Sequence, residues 1–191
     1  MKSMRLLLIA LCTLSAQQPA FEPQFTPAGE LLLPKDYREW IFLTSGLGMT
    51  YGPAAATTPD NPRFDNVFVN PSSYRAFLDT GKWPDKTLFI LEIRQSQGKG
   101  SINNGGHFQT GVVSVEAALK DVGRFPQRWA YFGFGRGDKS QPAPAASSCN
   151  TCHSKNAAVE NTFVQFYPTL LEIATRKGTL NPSYATNDAG H

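Results

Sequence analysis

The sequence predicts an α+β fold, a mainly antiparallel β-sheet with flanking helices. Two runs rich in β-branched and aromatic residues, 87–93 and 129–134, have the length of strands and no helical period. Between them Val113, Val115 and Ala117 alternate with Ser114 and Glu116, the two-residue period of a strand with one covered face. Short connections of hairpin type join these runs, so antiparallel pairing follows.

Residues 1–20 read as a secretory signal peptide. Lys2 and Arg5 precede an apolar run over 6–14, and Ser15, Ala16 and Ala20 supply small residues for cleavage. That run is too short to span a bilayer, so no stable membrane anchor is expected and the chain is assigned to the periplasm or another exported location. Cys12 follows Leu11 where a lipid-anchoring signal would place a small residue, so it is expected to leave with the leader.

Residues 21–33, with Pro23 and Pro27, read as an extended lead-in to a domain expected over 34–180, with a flexible tail over 181–191. A helix is expected near 34–45, where Leu33, Tyr37, Trp40 and Ile41 recur at helical spacing ahead of Gly46 and Gly48. Pro53, Pro59 and Pro62 mark 50–63 as loop, and 64–69 follows as a short strand. The next helix is well punctuated: Asn70 as cap, Pro71 at the first position, Tyr74, Phe77 and Leu78 on one face, and Gly81 at the end.

After Trp83-Pro84-Asp85 comes the run at 87–93, expected at the centre of the sheet, and then a connection rich in glycine at Gly98, Gly100, Gly105 and Gly106. The Gly, Pro, Ala and Ser of 135–148 read as a loop. Behind it Val159, Phe163, Phe166, Tyr167 and Leu170 keep helical spacing, with Pro168 expected to break or kink that helix.

Charge narrows the function classes. The formal net charge is +3, and without Lys2 and Arg5 the chain carries 16 basic against 15 acidic side chains, which supports neither nucleic-acid nor acidic-membrane binding. Outside the leader both cysteines fall in Cys149-Asn150-Thr151-Cys152-His153. Two thiols at this spacing can add to the two vinyl groups of one haem while the adjacent imidazole binds its iron, the pattern of covalent c-type attachment. A small disulfide, a thiol-exchange pair and a zinc cluster draw on the same residue types. The adjoining histidine, the lack of a second cysteine pair, and the presence of only His107 and His191 as further imidazoles favour haem.

With haem bound, His153 is the proximal ligand by position, and the opposite axial site decides function. Met49, in Gly46-Leu47-Gly48-Met49-Thr50, is the one methionine outside the leader, although a lone methionine more often fills a core gap. His107, after Asn103-Asn104-Gly105-Gly106, reads as a surface histidine, a distal hydrogen-bond donor or a sixth ligand. An open site is favoured, roofed by Phe89 and Leu91, an apolar arrangement that admits neutral diatomics. Ordinary sheet core accounts for the same two residues. Glu116 is expected on the solvent side of its strand, away from any haem pocket.

Tyr37-Arg38-Glu39-Trp40, Phe64-Asp65-Asn66-Val67-Phe68-Val69-Asn70, Tyr74-Arg75-Ala76-Phe77, Trp83-Pro84-Asp85 with its strand, and the late C-x-x-C-H together resemble the cytochrome P-460 family over residues 34–172. The resemblance implies a mainly antiparallel sheet with helices around one covalently bound c-type haem, a five-coordinate iron with histidine below, and often a homodimer. Its haem-binding pattern maps onto Cys149, Cys152 and His153. The family includes hydroxylamine-oxidising enzymes and the beta-type cytochromes c-prime, which bind nitric oxide and similar gases. In the hydroxylamine-oxidising members a lysine from the strand after the Trp-Pro-type turn is cross-linked to the haem. Here that strand reads Leu88-Phe89-Ile90-Leu91-Glu92, with Lys86 and Lys99 outside it, and its apolar face looks more like the gas-binding members.

The resulting expectation is an exported monohaem protein with an open distal site for nitric oxide or a related small nitrogen species, with room for redox turnover as a haem oxidoreductase and for a redox partner protein. An electron carrier with two axial ligands and a hydroxylamine-oxidising enzyme are the alternatives.

Overall fold

The structure is a computed structural model and describes residues 21–51 and 61–187. The expected leader with Cys12, the loop prolines Pro53 and Pro59, and His191 lie outside the described residues. Along the chain run β1 (Leu31–Leu32), a 3-10 turn (Tyr37–Glu39), β2 (Ile41–Leu47), β3 (Phe64–Val69), α1 (Pro71–Thr80), β4 (Leu88–Gln97) and β5 (Phe108–Lys120). There follow β6 (Trp129–Gly135), β7 (Lys139–Ser140), α2 (Ser148–Asn156), a 3-10 turn (Val164–Phe166), α3 (Pro168–Lys177) and α4 (Pro182–Asn187). The strands β2-β3-β4-β5-β6 form one antiparallel meander in chain order, and β1 pairs with β7 as a separate ribbon. This is the α+β, mainly antiparallel architecture the strand signals predict.

The helix expected near 34–45 is instead one 3-10 turn followed by a strand. Trp40 is already extended (φ −75°, ψ 178°), and the β-branched and aromatic run from Ile41 pairs with β3. Tyr37 and Trp40, three apart, bury the single turn against the sheet. The segment 135–148 is not wholly loop, since Lys139 and Ser140 pair with Leu32 and Leu31. The helix expected through 159–170 is also absent. Val159 and Thr162 close a tight turn, and Pro168 opens α3 rather than breaking a helix, because a first-turn residue needs no N–H partner. Asn181, expected to begin the tail, donates through its side-chain amide to the carbonyls of Ala157 and Glu160, and α4 follows it.

The helix at 71–80 forms as its punctuation indicates, with Gly81 in the left-handed region (φ +70°) returning its N–H to Phe77 O at 2.7 Å. Asn70 does not cap with its side chain. Its Oδ1 accepts the Leu88 N–H at 2.8 Å, which ties the start of α1 to the start of β4.

Alternation along the strands splits the sheet into two covered faces. Leu88, Ile90, Val115, Ala117, Leu119, Ala130 and Phe132 point to one side, where Leu31 of the lead-in and Tyr37 and Trp40 just after it cover them. On that side Glu92 is buried and receives the Tyr37 hydroxyl, the Arg38 guanidinium and Arg94 Nε, so the carboxylate is fully paired. Val69, Phe89, Trp129 and Tyr131 point the other way, and there α1, α3 and the segment 157–167 form a second core around Phe77, Trp83, Tyr167 and Leu170. The cavity described below opens between this second face and α2.

Candidate functional site

Three rows of side chains cross the second face of the sheet. The first is Ile41, Val69, Phe89, Ala118 and Tyr131; the second is Thr44, Val67, Leu91, Glu116 and Gly133; the third is Gly46, Asp65, Ile93 and Ser114. Over them lies a cavity of about 680 Å³, within the size range of cofactor sites. Its opposite wall comes from α2 and the turn after it, with Cys149, Cys152, His153, Asn161, Phe163, Phe166 and Tyr167.

The motif therefore converges on one space. Cys149 and Cys152 are three apart on α2 and so share a helix face; both are free thiols, Cys149 exposed and Cys152 half-buried. His153 is held on three sides. Its ring lies between Tyr131 and Phe163, with both centroids 4.3 Å away, and its Nδ1 is 2.8 Å from the Asn161 carbonyl oxygen. A carbonyl only accepts, so Nδ1 carries the proton and Nε2 keeps its lone pair. Burial lowers the pKa of His153, against a smaller upward pull from that carbonyl, and so favours the neutral imidazole that binds metals.

Phe89 and Leu91 both line the cavity, as does Met49. Gly46 makes room for Met49: a Cβ built on this glycine would lie 2.3 Å from Met49 Sδ. His107 is not brought to this space. It sits on the hairpin between β4 and β5, where a Cβ on Gly98 would lie 3.4 Å from its Nε2, and it is not among the residues that line the cavity.

Glu116, expected on the solvent side, lines the cavity instead. Its alternation with Val115 and Ala117 was legible in the sequence, but those two cover the lead-in core, so the opposite face of β5 is cavity wall and not open surface. A bulge in the pairing of β5 with β6 falls between Val115 and Glu116, a device that re-aims side chains beside functional sites. Asp65 joins it on the wall. Burial raises the pKa of both carboxyls, and for Asp65 the charge of Glu116 adds to the rise while Arg63 opposes it.

Tyr131, which sequence reading treated only as strand, has a buried Oη with no hydrogen-bond partner among the described residues. Burial pushes its phenol up, with a smaller opposing pull from the Asn161 side chain, which does not reach hydrogen-bonding geometry.

The residues present fit a haem. The walls are mainly apolar, two thiols and one neutral imidazole face the same space, and a Cβ built on Gly133 would meet no atom within 4 Å, so the floor is kept clear there. Among the described residues no group of three or more His, Cys, Asp and Glu side chains is gathered to hold a metal ion by itself. No described helix is long and apolar enough to cross a membrane. No curated protein matches the chain. The family model described as Cytochrome P460 matches residues 34–164.

Proposed function

The chain belongs to the cytochrome P460 family, and from that premise we propose that it is an exported c-type haem protein that binds nitric oxide or a related small nitrogen species. Cys149 and Cys152 would hold the haem through thioether bonds, and His153 Nε2 would ligate its iron. One observation carries this reading: the two thiols and a histidine already fixed in its Nε2-basic tautomer face a single cavity. Once bound, the haem supplies an iron that exchanges electrons and takes a small ligand. The residues lining the cavity then divide the remaining tasks. Phe89 and Leu91 exclude water from the wall opposite α2, and Glu116 and Asp65, whose carboxyl pKa values burial raises, give or take a proton at their carboxyl oxygens.

Export is supported by the basic and then apolar leader of residues 1–20. A redox partner protein and a homodimer belong to the same proposal and rest on the family alone.

An electron carrier is the second reading, because Met49 lines the cavity and thioether is a sixth ligand to iron in such proteins. Hydroxylamine oxidation through a lysine cross-link has less support. Among the described residues no lysine lines the cavity, and Lys86 is engaged 2.6 Å from Asp121.

The deciding measurement is the absorption spectrum of ferrous protein with and without nitric oxide or carbon monoxide. Expected are a covalently attached tetrapyrrole by mass, and a spectrum that changes on adding either gas. A low-spin spectrum that ignores both gases selects the electron carrier, and matured protein without tetrapyrrole mass rejects haem altogether.

A further inference from the structure

The carbonyl that fixes His153 belongs to a turn held from outside the haem cavity. Val159 and Thr162 donate to one another's carbonyls at 3.3 and 2.9 Å, which leaves Glu160 and Asn161 at the tip. Glu160 adopts φ +51°, a left-handed backbone that a residue with a Cβ does not favour and that surrounding contacts must therefore impose. Asn181 supplies one restraint, accepting the Glu160 N–H at 3.2 Å and donating to the Glu160 carbonyl at 2.8 Å.

The other restraint is an ion pair. Lys120, the last residue of β5, has a side chain only 5 % exposed, and its Nζ lies 2.6 Å from both Glu160 Oε2 and the Trp83 carbonyl. Glu160 Oε1 in turn accepts the Trp83 N–H at 3.3 Å. A lysine buried this deeply is costly, and an apolar side chain of the same length at the end of a strand would serve packing as well. What the pair adds is direction. It fixes Glu160 from the side away from the cavity, and the next residue is the one whose carbonyl meets His153 Nδ1.

We infer that Lys120 and Glu160 are positioning residues for the axial histidine: their ion pair sets the Asn161 carbonyl on His153 Nδ1 and thereby the electron donation of the imidazole to a bound iron. This rests on the reading of His153 as the axial ligand. A firmer Nδ1–H···O bond makes the ring a stronger donor, which stabilises ferric iron and lowers the reduction potential. Loosening the turn does the reverse.

The test uses haem-loaded, full-length protein with Glu160→Gln and the double variant Lys120→Met/Glu160→Gln, which removes both charges and so leaves no lone buried ion. Three quantities are compared: the iron–histidine stretching band of the ferrous form, the midpoint potential, and the thermal unfolding temperature. Expected are a band at lower frequency and a potential that rises in both variants, the ferrous-to-ferric ratio at fixed potential increasing roughly tenfold, about 59 mV for one electron. A band and potential equal to wild type in the double variant overturn the inference, as does a change confined to unfolding temperature. His153→Ala separates this from the parent reading. If His153→Ala keeps the iron–histidine band, the axial assignment itself has failed. If His153→Ala loses the band while the double variant leaves it unmoved, only the Lys120–Glu160 role is rejected.

Discussion

At the scale of single residues, the site depends on where polar atoms are left without ordinary partners. The Tyr131 ring packs on His153 and its buried hydroxyl has no hydrogen-bond partner among the described residues, so it bears the desolvation penalty with no return. Tyr131→Phe keeps the ring and removes that penalty, and it is expected to stabilise the haem-free protein by about 1 kcal/mol in urea unfolding. A loss of stability there would show that the hydroxyl has a partner after all. Glu116 and Asp65 carry the opposite kind of cost. Their folded-state pKa values lie above the ordinary carboxyl range because burial disfavours the charged forms. The native protein thus holds these protons longer than the unfolded chain does. Stability is full below the unfolded carboxyl pKa and is lost as pH rises through the raised folded values. Glu116→Gln removes one of the two groups, so the fall in unfolding midpoint between acid and neutral pH is expected to become shallower. An unchanged pH profile would place the titration elsewhere.

At the scale of elements, α2 stands apart from the other helices. α1 buries Phe77 and α3 buries Leu170, Ile173 and Ala174, whereas α2 has no buried residue. Helices this short are marginal without tertiary packing, and here His153 and a few polar bonds are the main attachments. Two thioether bonds from α2 to a group filling the cavity would supply the missing packing. Hydrogen exchange should therefore find amides 148–156 poorly protected in a Cys149→Ser/Cys152→Ser variant and well protected in haem-loaded protein, with α1 alike in both. Equal protection of α2 in the two forms would show that it is stable by itself.

At the scale of the whole molecule, the sheet is shared between two cores with different tasks. Leu31 of the lead-in, with Tyr37 and Trp40 just after it, seals one face, and the cavity opens on the other. Leu31 is fully buried in a two-residue strand whose partner is β7, next to the segment that carries the cysteines. Leu31→Ala should cost about 2–5 kcal/mol, the range for emptying a buried leucine site. Chemical denaturation of the haem-free protein reads this directly, and a cost below about 1 kcal/mol would mean that the lead-in is a loose cover.

The sequence by itself determined the strands at 64–69, 87–93 and 129–134, the helix from Pro71, and the strand-rich class of the fold, because local period and punctuation are chemical properties of the chain. It also singled out Cys149, Cys152 and His153, whose spacing is contiguous. Only the tertiary structure decided the rest. Tyr37 and Trp40 satisfy one helical turn and one sheet contact equally well, so the strand after them was settled by pairing with β3. Alternation told that Glu116 opposes Val115 and Ala117, but not that both faces of the sheet are covered, since that depends on a lead-in some eighty residues away in the chain. The Asn161 carbonyl and the Lys120–Glu160 pair were beyond sequence reading for the same reason: a backbone acceptor has no residue signature, and an ion pair across forty positions exists only once the chain is folded.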